Sequence, residues 1–191
     1  MLGADGSSRH DRGKRTTTKE EREMNVADLL VDGFGRVREV VHQAVEGLTA
    51  EQLAARPGPD ANPIGWLVWH LARVQDDHVA DVAGADQLWT AKDWREKFAL
   101  PFPAGDIGYG HSSADVAKVR PPSPDLLTGY YDAVHEHTVS WVAGLDEAAL
   151  DRVVDEAWNP PVTLGVRLVS VLSDDLQHAG QAAYVRGLLL G

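Results

Sequence analysis

Four long segments of the chain repeat apolar residues at intervals of three and four, and this periodicity restricts the fold more than any other feature. The segments begin near positions 25, 63, 124 and 163. No segment alternates apolar and polar residues in the manner of a half-buried strand. The pattern predicts an all-α fold, an antiparallel four-helix bundle with short extra helices.

Polar residues mark the expected helix starts. Asn62, Ser123 and Thr163 supply the side chain that a helix N-cap requires, and a proline directly follows the first two. Thr49 and Gln52 form a capping-box pattern for a short helix that ends before Pro57. These signals support the helix boundaries that the apolar periodicity indicates.

A long connection, residues 84–122, joins the second and third predicted helices. Connections of this length are uncommon in compact domains unless they have a function of their own. We therefore expect this segment to cover a site as a lid. Its aromatic residues are Trp89, Trp94, Phe98, Phe102 and Tyr109.

The N-terminal residues 1–23 differ in composition from the remainder. They hold six Lys/Arg and five Asp/Glu and almost no apolar residues. Such a segment buries too little apolar surface to offset its ordering entropy. We expect a disordered tail over residues 1–23 and one bundle domain over residues 24–191.

Composition excludes several functional classes. The net charge of −11 argues against a nucleic-acid partner, because phosphate binding needs a basic surface. No apolar run approaches the roughly 20 residues that span a bilayer, and no signal peptide is evident, so we expect a cytoplasmic protein without membrane contact. The chain has no cysteine, which excludes a protein thiolate nucleophile and Cys-ligated metals.

Two polar residues interrupt the apolar pattern of the fourth helix. Asp174 and His178 are four residues apart and therefore share one helical face. His70 lies in the apolar second helix, and bundle metal sites form from inward residues on facing helices. Two imidazoles and a carboxylate make the three-ligand set of an open zinc site. From spacing alone, a hydrogen-bonded core histidine and a surface Asp/His pair are the commoner interpretations of these residues.

The segments "NPIGWLVWHLARVQDDHV" and "DDLQHAGQAAYVRG" resemble the DinB/YfiT-like metalloenzyme superfamily over residues 25–190. Within it, the chain is most similar to the mycothiol S-transferase branch of thiol-dependent enzymes. The family pattern places one histidine on the second helix and a pair on the fourth. Here these positions hold His70, Asp174 and His178, and the aspartate departs from the commonest pattern, which has histidine there.

The resemblance implies a divalent metal ion on His70, Asp174 and His178, with zinc favoured and nickel, iron or manganese as alternatives. It implies a detoxifying S-transferase in which a small mycothiol-like thiol attacks an electrophile. Separately, we expect that the chain can form a homodimer. From their positions on the fourth helix, Gln181 would hold a metal ligand in place or only pack beside Gly180, and Arg167 would meet an anionic substrate group or form a salt bridge. A metal-dependent hydrolase and a non-catalytic metal-binding stress protein remain alternatives.

The other polar residues of these helices are interpreted as structural or surface residues. His135 and His137 are two apart on a helix, so they point to different sides and cannot chelate one ion together. Asp76 and Asp175 are interpreted as solvated or capping charges. His111 has no partner that the sequence identifies.

Overall fold

The computed structural model describes residues 24–191, so the tail expected at residues 1–23 lies outside the described part. The described chain is all-α apart from one small sheet, which confirms the predicted fold class. Its helices are α1 (Val26–Val45), α2 (Ala50–Ala54), α3 (Ile64–Ala83), α4 (Leu88–Ala91), α5 (Trp94–Phe98), α6 (Ser113–Val116), α7 (Pro124–Val142) and α8 (Leu164–Leu190). The long helices α1, α3, α7 and α8 form the bundle.

Most of the predicted helix starts are confirmed. Thr49 caps α2 in a capping box with Gln52, Ser123 caps α7, and Thr163 caps α8. The prediction for α3 is wrong by one residue. Its N-cap is Pro63, whose extended backbone presents the carbonyl that accepts the first helical hydrogen bond, from Leu67 N.

Helices α3 and α8 are antiparallel neighbours. His70 of α3 contacts His178, whereas His78, two turns later in α3, contacts Arg167, which lies earlier in α8. Helix α1 also packs against both α7 and α8. It runs parallel to α8, because a Cβ at Gly33 would meet Leu172 and the carbonyl of Ala44 accepts a bond from Arg186.

The directions of the remaining pairs follow from these contacts. The end of α1 meets the first half of α7 through the bond between His42 and Asp132, while Leu30, near the start of α1, shares an apolar cluster with Val142 at the end of α7. Helix α7 is therefore antiparallel to α1 and parallel to α3. Parallel neighbours require the chain to return along the bundle, which is the physical reason for the long connection between α3 and α7.

The bundle core is closely packed and includes the connection. Phe34, Leu67, Leu71, Tyr130 and Leu168 are buried between the four long helices. Side chains of the connection are buried against the same core, so this segment is part of the packed interior; they are Trp89, Phe98, Val116 and Val119.

A two-stranded antiparallel sheet precedes α8 and was not predicted. Its strands are β1 (Val153–Asp155) and β2 (Val162–Thr163), which follow a 3-10 turn at Ala148–Asp151. Strands of three and two residues are too short to show the alternation that reveals a strand in a sequence.

Within residues 24–191, none of the helices combines the length and the apolar character that crossing a bilayer would require.

Candidate metal centre

The structure brings together the three residues that the sequence singles out. His70 of α3 and Asp174 and His178 of α8 each offer one ligand atom, and these atoms lie within 4.8 Å of one another. The rings of His70 and His178 have centroids 4.8 Å apart and are nearly perpendicular. The convergence follows from the antiparallel packing of α3 against α8, which places the middle of one helix opposite the middle of the other.

His70 is held by the main chain of the connection. Its Nδ1 lies 2.5 Å from the carbonyl oxygen of Ile107, so this nitrogen carries the proton and donates a hydrogen bond to that oxygen. The lone pair is therefore on Nε2. The residue is buried, and burial lowers the pKa of His70, with the nearby His178 acting in the same direction. The neutral imidazole is the form that ligates metals.

His178 is oriented by a neighbour one turn further along α8. Its Nδ1 lies 2.8 Å from Oε1 of Gln181, and its Nε2 lies 3.6 Å from Oδ1 of Asp174. Because the amide oxygen can only accept, Nδ1 donates and the lone pair is again on Nε2. This arrangement, in which a ligand histidine donates its other nitrogen to an oxygen, is the usual one in metal sites.

Asp174 contributes a carboxylate whose bonding is incomplete. Its Oδ2 atom is buried and has no hydrogen-bond partner in the described part of the chain. A buried carboxylate oxygen without a partner costs free energy unless a cation or a donor satisfies it. Such an oxygen beside two histidine lone pairs fits a metal ligand.

The donor set fits a divalent ion in spacing and in charge. Ligand atoms around a tetrahedral zinc ion are about 3.4 Å apart, given metal–ligand bonds of about 2.1 Å. The His178–Asp174 spacing of 3.6 Å already matches, and the largest spacing of 4.8 Å needs about 1.4 Å of side-chain adjustment. One carboxylate and two neutral imidazoles leave a coordination position open.

Aromatic rings form one wall of the centre. The indole of Trp66 stacks on His70 with ring centroids 4.6 Å apart and meets the ring of His178 edge-on. Trp66 Nε1 donates to Nδ1 of His111, whose Nε2 donates to Asp106. No partner for His111 could be identified from the sequence, because Trp66 is distant in the chain and Asp106 meets the ring only through the fold of the connection.

The connection also approaches the centre with its backbone. Gly108 has φ +89°, and a Cβ there would lie 2.9 Å from Nδ1 of His70 and 2.9 Å from Trp69. The position therefore requires glycine both for its conformation and for space. The connection covers His70, while opening of the connection as a lid stays a prediction.

Arg167, expected near the site, is engaged by other protein groups. Its guanidinium donates to Nδ1 of His78 at 2.8 Å and to Asp155 at 3.1 Å. Burial and then the charge of Arg167 lower the pKa of His78. Arg167 lies two turns before Asp174 on α8, and a role toward substrate stays a prediction.

Neither Asp76 nor Asp175 is a solvated charge. Asp76 is buried and accepts bonds from Leu88 N and Trp89 N, the first residues of α4, and from Tyr130. Asp76 of α3 thus caps the start of α4. Of the two interpretations offered for this residue, a capping charge is confirmed and a solvated charge is wrong. Asp175 is fully buried on α8, where desolvation and then Asp174 raise its pKa well above the ordinary value. A single sequence does not show which aspartate of the pair faces the core.

An all-α bundle in which two histidines and an aspartate converge between antiparallel helices has the architecture of the DinB-like proteins. The model of the family described as mycothiol-S-transferase matches residues 29–191, and the chain belongs to this family. A crystal structure of a conserved protein from Enterococcus faecalis is similar with a TM-score of 0.83 and 34% identity. The match covers 88% of this chain and 99% of that one. No curated protein matches the chain.

Proposed function

We propose that this protein is a metal-dependent S-transferase that joins a low-molecular-weight thiol, of the mycothiol type, to an electrophile. The observation that carries the proposal is the convergence of His70, Asp174 and His178. The Nδ1–H groups of both histidines already donate hydrogen bonds to protein oxygens, which leaves each Nε2 lone pair for a metal. The family match supports the thiol as cosubstrate. The absence of cysteine from the chain means that the thiol must come from a small molecule.

The reaction is balanced without a redox partner. The thiol sulfur forms a bond to an electrophilic carbon, the thiol proton passes to solvent, and the leaving group departs with its electron pair. A divalent ion bound at the site supplies Lewis acidity that favours the deprotonated thiol near neutral pH, where a free thiol of pKa about 8.5 is mostly protonated.

The residues around the three ligands prepare the site for this chemistry. The carbonyl of Ile107 and the side chain of Gln181 fix the tautomers of the two histidines, and the stacked Trp66 excludes water from one side of His70. The remaining side, beside Asp174, is partly exposed and gives access to substrates. Zinc is our first expectation, because two histidines and one carboxylate form a known catalytic zinc set. Nickel, iron and manganese are alternatives, and we expect the protein in the cytoplasm.

A transfer assay tests the proposal against its alternatives. Protein restored with zinc is incubated with mycothiol and 1-chloro-2,4-dinitrobenzene, and the thioether and released chloride are measured. We expect conjugate from the wild-type protein and from His135→Ala, and none above background from His70→Ala. Turnover of ester or amide substrates without thiol would instead identify a hydrolase. Metal binding without either activity would leave a non-catalytic metal-binding stress protein.

The proposal includes a homodimer formed through α8. On the exposed side of this helix Val166 and Val169 are three residues apart, and Leu176 and Leu190 follow at intervals of 7 and 14 residues, which is the heptad period of a coiled-coil seam. Between these lie small side chains, which allow two helices to approach closely. At 27 residues α8 is about 40 Å long, which gives two copies a long contact along this face. The exposed apolar residues at these heptad intervals are Val166, Val169, Leu176 and Leu190.

A further inference from the structure

A cleft of about 300 Å³ opens between the segment that precedes α3 and the C-terminal half of α8. Ala61 and Asn62 line it from the first side, and Gln181 and Tyr184 line it from the second. Leu67, which is buried, lies between them. The volume is at the lower end of the range of small-molecule sites, so the cleft suits a ligand of about one substituted ring.

The cleft begins one helical turn from the candidate metal centre. Leu67 precedes His70 by three residues on α3, and Gln181 follows His178 by three residues on α8. Because the two helices are antiparallel, both steps lead in the same direction along the bundle. Three residues rise about 4.5 Å along the helix axis, so the near end of the cleft lies about one helical turn from the ligands.

Gln181 joins the cleft to the metal centre directly. Its Oε1 accepts the bond from His178, while its amide N–H groups are bonded to no atom in the described part of the chain. The side-chain amide of Asn62 likewise has no hydrogen-bond partner among the described residues. Both amides can donate to an acceptor atom on a ligand in the cleft.

The lining selects an uncharged ligand. No side chain that lines the cleft is ionisable near neutral pH, and the ring of Tyr184 and the side chain of Leu67 offer apolar surface. The ion pair of Arg167 and Asp155 lies on the other side of the metal centre from the cleft. The two ends of the centre thus differ in polarity, and a charged ligand in the cleft would be desolvated without a partner.

We infer that this cleft is the electrophile subsite, and that it takes an uncharged, apolar molecule bearing a carbonyl or nitro acceptor. The inference rests on the proposed transferase function, because only that function requires an electrophile beside the metal centre. Gln181 would act in two ways, as the group that orients His178 and as a donor to the ligand.

The test uses an unreactive probe pair that differs only in charge. 1,3-Dinitrobenzene has two acceptor groups and no leaving group, and 3,5-dinitrobenzoate adds a negative charge. Binding of each to the protein as purified is measured by isothermal titration calorimetry. We expect saturable binding of the neutral probe, and binding of the anion at least tenfold weaker.

Two variants locate the binding. Ala61→Phe fills the cleft and should weaken binding of 1,3-dinitrobenzene at least tenfold. Tyr184→Ala removes a ring from the cleft at an exposed position, so it does not endanger folding, and it should weaken binding at least threefold. Ala143→Phe adds the same bulk on an exposed residue after α7 and should change nothing. Metal content of all three variants should equal that of the wild type.

Several results would overturn the inference. These are absent binding of the neutral probe, equal or tighter binding of the anion, unchanged binding to Ala61→Phe and Tyr184→Ala, or an equal loss in Ala143→Phe. Because the readout is binding rather than turnover, it separates the inference from the proposed function. If the protein binds the neutral probe in the cleft but fails to transfer thiol, the proposed transferase function is wrong, and so is the assignment of the cleft as its electrophile subsite. If it transfers thiol but does not bind the probe, only the assignment of the cleft is wrong.

Discussion

Oε1 of Gln181 lies 2.8 Å from Nδ1 of His178, and the other nitrogen of the same ring lies 3.6 Å from the carboxylate of Asp174. One residue therefore fixes both the tautomer and the orientation of the imidazole. The three residues occupy successive turns of one face of α8, so a single helix supplies two ligands and the group that orients one of them.

Removing this hydrogen bond should weaken metal binding without abolishing it. In Gln181→Leu the imidazole of His178 loses its acceptor, and metal affinity should fall 10- to 100-fold, the usual cost of losing such a partner. Competition with a chromophoric chelator measures the affinity. Gln177→Leu, a change on the same helix at a residue that bonds only to Ser173, is the control and should keep wild-type affinity. Equal affinities for the two variants would contradict the assigned role of Gln181.

Gly108 should tolerate no side chain. The substitution Gly108→Ala places a Cβ 2.9 Å from His70 and Trp69 in a backbone with positive φ. Gly110 also has positive φ, +74°, but open space around its Cβ position. Gly110→Ala should cost about 1–2 kcal/mol from conformation alone, whereas Gly108→Ala should cost about 1–3 kcal/mol more from overpacking. Urea unfolding measures both, and equal losses would mean that the connection moves away from His70 freely.

Asp76 should anchor the connection. Its carboxylate is buried beside Arg73 and caps α4, so Asp76→Ala leaves a buried guanidinium without its counter-charge and should cost about 3–5 kcal/mol. Asp77→Ala, which removes a partly exposed acceptor of Gln87, should cost about 1 kcal/mol. Limited proteolysis should also cut within residues 84–122 faster in Asp76→Ala than in Asp77→Ala. A similar stability for both variants would contradict the anchoring role.

Periodicity along helices was sufficient to predict the all-α fold class, whereas spacing and the family resemblance were both needed to single out His70, Asp174 and His178, which the structure brings together. Apolar spacing predicted α1, α3, α7 and α8, and the four-residue interval from Asp174 to His178 required a shared face. The prediction of an antiparallel bundle did not include the two parallel pairs, α3 with α7 and α1 with α8. Helix direction depends on which faces pack together, and a long connection is compatible with several return paths.

The contacts that hold the site together were beyond sequence analysis. The carbonyl of Ile107 is a main-chain group, and no side-chain pattern marks it as the acceptor for His70. Asp76 caps a helix that begins twelve residues later, so local capping rules do not apply to it. Asp174 and Asp175 are neighbours with opposite environments, and a small difference in helix rotation decides which of them faces the core.

The homodimer can be tested on α8. Leu176 is 48% exposed on the apolar face, and Leu176→Lys would place a charge in the contact between two copies. Gln177→Lys adds the same charge one residue further on, toward a different side. Sedimentation velocity should show a dimer for the wild type and for Gln177→Lys and a monomer for Leu176→Lys. A wild-type monomer at micromolar concentration would contradict the proposed dimer.

The central claim is that His70, Asp174 and His178 hold one divalent ion between α3 and α8. The direct measurement is elemental analysis of protein purified without chelator and then supplied separately with zinc, nickel, iron and manganese. We expect close to one equivalent of at least one metal in the wild type and in His135→Ala, and almost none in His70→Ala or His178→Ala.

An ion bound only by the folded state also stabilises that state, by about 2.7 kcal/mol at a hundredfold excess over Kd. A chelator should therefore lower the Tm of the wild type and leave that of His178→Ala unchanged. Wild-type protein that retains none of the four metals, with a Tm insensitive to chelator, would contradict the claim.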